Sequence, residues 1–138
     1  MKNPLLVVLV IIGLVSGVSC GEAEEPVPTH TIYGTATSST VDASNRLVWI
    51  KLVQPEGTAQ DIALYYTSCL LIGPACDYKI NFVPEGEYTV FAVIDMNANI
   101  SDPELVPDSG DLVSAGKPIW LWEKTKADFI DSNWRRIP

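Results

Sequence analysis

The chain has 138 residues, 47% of them hydrophobic, and a formal charge of -8. Its basic side chains are scattered along the sequence, which argues against a nucleic-acid surface built to meet clustered phosphates. The same sign excludes electrostatic adhesion to an anionic membrane.

In chain order, Met1-Lys2-Asn3-Pro4 is followed by an apolar run from Leu5 to Val15 and then by Ser16-Gly17-Val18-Ser19-Cys20. A run of about eleven residues is too short for a permanent span, which takes roughly 18 to 20. Residues 1–19 resemble a bacterial lipoprotein signal peptide, with one departure: Gly17 stands where such boxes usually carry Leu. The resemblance implies cleavage before Cys20, lipidation at Cys20, and an extracytoplasmic, membrane-anchored place in the cell envelope. It also implies several acyl chains, because one chain alone binds marginally. An ordinary secreted protein and a short uncleaved anchor are the alternatives. Gly21, rather than Asp, follows the cysteine, so the best-known inner-membrane retention signal is missing and the outer membrane is preferred.

Loss of residues 1–19 removes Lys2 and no acid, which takes the charge to about -9 and leaves about 119 residues, enough for one domain with its own core. Residues 20–29 contain Glu22, Glu24, Glu25, Pro26 and Pro28 and read as a tether; repulsion and proline keep it extended, reaching at most about 30 Å. The expected domain is 30–138.

Three cysteines is an odd count, but if Cys20 takes lipid, Cys69 and Cys76 remain as a pair. Gly73-Pro74 between them signals a turn that could bring the sulfurs together. A ring of this size contributes roughly 2.5 kcal/mol in the loop-entropy model. The spacing is too wide for a Cys-x-x-Cys redox motif, and His30, the sole histidine, cannot complete a zinc site. In an exported chain, a structural disulfide is therefore expected.

From His30 onward strands and turns alternate. Thr31–Thr37, Arg46–Gln54, Ile62–Cys69, Asp77–Val83, Glu87–Asp95 and Lys117–Glu123 carry strand patterns, with a short last strand expected over Ala127–Asp131. The second run predicts burial along most of its length. No stretch holds a helical period for ten residues, so the expected fold is all-β, an antiparallel sandwich of about seven strands.

Ile80 to Val93 contains Phe82, Pro84, Gly86, Tyr88 and Val90 in the spacing Phe-x-Pro-x-Gly-x-Tyr-x-Val. With Thr31-Ile32-Tyr33-Gly34-Thr35-Ala36, this resembles carboxypeptidase regulatory-like domains, whose fold is a transthyretin-like, Ig-like sandwich. The resemblance implies a binding or spacer role and no catalysis. Where such domains commonly continue in a short hairpin, this chain inserts an acidic loop.

Within that loop Asp95, Asn97, Asn99 and Ser101 alternate as oxygen ligands do in a calcium loop, and Asp102, Glu104, Asp108 and Asp111 could complete a hard-cation shell. It is not an EF-hand: counting from Asp95, Ile100 occupies the glycine position and Val106 the bidentate glutamate position. The expectation stands between bound Ca2+ and a solvated loop whose Asn and Asp satisfy their own turns. Trp120 and Trp122, two apart on a strand, share a face, and Trp49 and Trp134 could join them. Exposed, they would stack sugar rings; in a small sandwich, however, tryptophans are expected in the core. Arg135-Arg136 reads as a solvated tail.

Catalysis is not expected. His30 lies at the junction with the tether, where a triad base could not easily be oriented. No carboxylate is marked as desolvated for glycoside chemistry. The sequence thus predicts a noncatalytic envelope lipoprotein, its partner an envelope protein or glycan, with a carbohydrate-binding module or a pure spacer as alternatives.

Overall fold

The computed structural model describes residues 24–40 and 43–138, so the signal-like segment and Cys20 lie outside the described residues. Nine strands form among the described residues: β1 (Thr29–Thr37), β2 (Leu47–Val53), β3 (Tyr65–Leu70), β4 (Ala75–Pro84), β5 (Gly86–Ile94), β6 (Leu112–Ser114), β7 (Lys117–Leu121), β8 (Thr125–Lys126) and β9 (Trp134–Arg136). They make two sheets. One has the order β4-β1-β8; the other runs β3-β2-β5-β6-β9, with β7 also paired to β5. The chain is an all-β sandwich, antiparallel except where β1 meets β8. No helix among the described residues is long and apolar enough to cross a membrane.

Alternation builds the interior. Ile32 and Ala36 of β1, Val48, Ile50 and Leu52 of β2, Tyr78, Ile80 and Val83 of β4, and Val90, Ala92 and Ile94 of β5 face one another across the two sheets. The opposite face of the larger sheet is covered too: Val53, Phe91, Val93 and Val113 form a second cluster against Trp49, Ala59, Ile100 and Ile137. This double cover explains why β2 is buried on both faces, as its continuous apolar run predicts.

Two details set the edges of the fold. A Cβ added at Gly34 would lie 2.1 Å from the Ala127 carbonyl oxygen, so only glycine lets the 125–129 segment lie against β1. On β4 the pairing slips: His30 faces Val83 and Ile32 faces Ile80, so Asn81 and Phe82 together oppose Thr31. Phe82 takes the left-handed conformation in this bulge, with φ of 59°.

Several expectations shift at the C-terminal end. The strand expected over 127–131 is only a single bridge, Phe129 to Ala36, while the pairing itself falls earlier, in β8. Arg135 and Arg136 belong to β9, paired to Val113 and Leu112, instead of forming a free tail. Arg136 donates to the Gly110 carbonyl at 2.8 Å.

Cys69 of β3 and Cys76 of β4 form the expected disulfide, which ties an edge of one sheet to an edge of the other. The turn at Pro84–Gly86 joins the sheets at the opposite end. There the Tyr88 hydroxyl donates to the Pro84 carbonyl at 2.8 Å, which accounts for the Pro-x-Gly-x-Tyr spacing.

Candidate functional site

The acidic loop between β5 and β6 gathers the residues its spacing suggested and turns them on one another. Asp95 is buried, and its two oxygens accept the backbone N–H groups of Asn99 at 3.2 Å and Ile100 at 3.1 Å. Asp111, fully buried, accepts Met96 N–H at 2.9 Å and Asp108 N–H at 3.0 Å. Asp108 is exposed and accepts the side-chain amides of Asn97 at 2.7 Å and Asn99 at 2.5 Å. These amides hold the Asp108 carboxyl below its ordinary range, whereas burial pushes that of Asp111 up.

The remaining candidates lie apart from this knot. Ser101 is exposed, with its carbonyl accepting Leu105 N–H; Asp102 accepts the Tyr66 hydroxyl; Glu104 points to solvent. Among the described residues no group of three or more His, Cys, Asp or Glu side chains is placed to hold a metal ion.

What fastens the loop to the sheet is a basic residue inside the buried run of β2. Lys51, in the middle of β2, is fully buried, and its ammonium donates to the carbonyls of Asp61 and Leu105, each at 2.8 Å. Burial lowers its pKa to about 8, partly offset by the Asp61 charge. Leu105 itself is buried, so the loop inserts this side chain alongside Ile100 and offers the ammonium one carbonyl. A lysine inside an otherwise apolar strand, with loops on both sides needing an anchor, was the available signal.

The tryptophans depart from expectation. Trp120 and Trp122 are 60% and 63% exposed, so they are not core residues. The parity of β7 explains it: Ile119 and Leu121 pack into the interior, leaving Trp120 on the outer face opposite Glu87 of β5. Their ring centroids lie 6.0 Å apart, with planes inclined by 31°. Trp49 and Trp134 do not join them. Trp49 packs beneath the loop, and the Trp134 indole donates to the Thr37 carbonyl at 2.7 Å.

Beside the pair, Lys124 sits 4.8 Å above the Tyr33 ring, and with Lys79 and Lys126 it borders a shallow groove on the outer face of β1 and β4. His30 pairs with Glu85 at 2.9 Å. Comparisons with protein-family models, with curated proteins and with solved structures found nothing that matches this chain.

Proposed function

We propose that this protein is a lipid-anchored, noncatalytic β-sandwich of the cell envelope, acylated at Cys20, whose folded domain has a binding or assembly role. The observation that carries the reading is the outward-facing Trp120/Trp122 pair. Two neighbouring indoles left in water forgo burial worth roughly 1.5 to 3 kcal/mol each, which a pure spacer has no reason to forgo. The Cys69–Cys76 disulfide supports an oxidising compartment. The noncatalytic reading draws on His30, whose hydrogen bond goes to an exposed glutamate and not to a nucleophile. The sandwich architecture agrees with the carboxypeptidase regulatory-like resemblance of residues 80–93. Cys20→Ser should abolish incorporation of labelled fatty acid and block anchoring; unchanged acylation would sink the lipoprotein reading.

A second reading, carbohydrate binding, is favoured by the geometry of the same pair, whose near-aligned rings offer a platform for two sugar units. Oligosaccharides should then shift tryptophan emission in the wild type and not in the Trp120→Ala/Trp122→Ala variant.

A further inference from the structure

We propose that the end of the sandwich at which the tether enters is a bilayer-seating surface, with Trp120, Trp122 and Phe82 entering the headgroup region of a zwitterionic membrane. The inference deepens the membrane-anchored reading and rests on lipidation of Cys20.

Position is the first argument. Glu85 N–H donates to the Pro28 carbonyl at 2.8 Å and Glu85 also holds His30, so the end of the tether is fastened to the Pro84–Gly86 turn. Gly86 pairs with Leu121 and Glu87 with Trp120, which sets both tryptophans at that turn. Phe82 approaches the same turn on the other sheet, one residue from the Val83–His30 pair. Cys20 lies nine positions before Thr29, within about 30 Å even when fully extended.

Residue type is the second. Exposed aliphatic side chains occur at both ends, Leu47, Leu70, Ile72 and Ile130 at the far one and Val27 in the tether, whereas the three large exposed aromatics all flank the tether turn. Aromatic rings, and indoles with their N–H above all, favour the boundary between water and hydrocarbon.

Phe82 supplies a third argument, independent of the other two. A bulky side chain at φ of 59° costs roughly 1 to 2 kcal/mol, and the ring is 80% exposed, so no intramolecular packing offsets that cost. Glycine is the default at such a position.

Charge selects the lipid. Glu24, Glu25, Glu85, Glu87 and Glu123 lie toward this end, against Lys79, Lys124 and Lys126. An anionic surface would repel it, and a zwitterionic one would not.

The test reconstitutes the full lipidated chain into phosphatidylcholine vesicles, with and without bromine on the acyl chains, and reads tryptophan emission. Brominated lipid should quench the wild type strongly, acrylamide quenching should fall several-fold on reconstitution, and Trp120→Phe/Trp122→Phe should remove the lipid-quenched component. Adding phosphatidylglycerol should weaken the quenching, and salt should restore it. Emission untouched by brominated lipid but open to acrylamide would overturn the proposal. So would a response to oligosaccharide alone, quenching that vanishes when copies are diluted on the vesicle, or stronger quenching on the anionic surface. The acyl mass on Cys20 is measured in the same sample. Its absence would remove the anchor reading alone, because quenching of the unlipidated chain by the same vesicles still decides the seating.

Discussion

The acidic loop and the aromatic end make opposite use of their residues. In the loop, Asp95, Asp108 and Asp111 are the groups most able to meet a ligand, yet their oxygens are engaged by N–H groups of the loop itself. At the Pro84–Gly86 end, Trp120, Trp122 and Phe82 are the side chains best suited to a core, yet they face outward. Reactive residue types here hold structure together, and structural types make the free surface. Position relative to the sheets decides the role, because the carboxylates find donors in the backbone of their own loop and a ring on the outer face of β7 finds no cover.

The contrast can be broken experimentally. Asp111→Ala should have the largest effect: it leaves two partly buried loop N–H groups unpaired, at a cost of roughly 2 to 3 kcal/mol, and should lower Tm by about 10 °C. A shift of only a degree or two would mean the loop does not depend on its carboxylates.

Lys51 should give the next effect, as a pH dependence. Folded Lys51 loses its proton near pH 8 and the unfolded side chain near 10.5, so between those values the unfolded chain binds more protons and stability rises with pH. Denaturant titrations should show a gain of about 2 kcal/mol from pH 8 to pH 10 that Lys51→Met lacks. The comparison with Lys51→Met is needed because the raised hydroxyls of Tyr66, Tyr78 and Tyr88 act in the opposite direction as pH approaches 10, and measurement stops there. A flat wild-type profile would refute the buried charge.

Phe82→Gly should stabilise the domain by about 1 kcal/mol, since it relieves a left-handed residue with no buried contact to lose, while weakening the vesicle-dependent protection of the tryptophans. Destabilisation would show that the ring packs inward.

The smallest effect is expected from calcium. With the loop oxygens already engaged, unfolding curves in EDTA and in millimolar calcium should coincide. A specific site filled to about 100 times its dissociation constant would instead add roughly 2.7 kcal/mol and make the loop a metal centre.

How far the sequence carried differs by residue. The apolar run at β2, the alternation of Ile32, Gly34 and Ala36, and the turn at Gly73-Pro74 between the paired cysteines were legible because each signal is local. The grouping of Asp95, Asn97, Asn99, Asp108 and Asp111 was legible from their spacing, but their engagement with Met96, Asn99 and Ile100 depends on how the backbone closes. Strands β6 and β9, three residues each, are too short to show a period. The partner of Lys51 could not be read because Leu105, whose carbonyl its ammonium holds, lies 54 positions away. The usual burial of tryptophan in a small sandwich placed Trp120 and Trp122 inside; only the inward parity of Ile119 and Leu121 decides the face.

The place of β1 has a mechanical consequence. It is the middle strand of its sheet, paired along its length to β4, and the preceding segment leaves from its first residue. A pull along the strand through that segment loads its cross-strand hydrogen bonds together in shear rather than peeling them one by one. The domain should therefore resist such a load until many bonds fail at once, and its working lifetime under tension is set by the height of that single barrier.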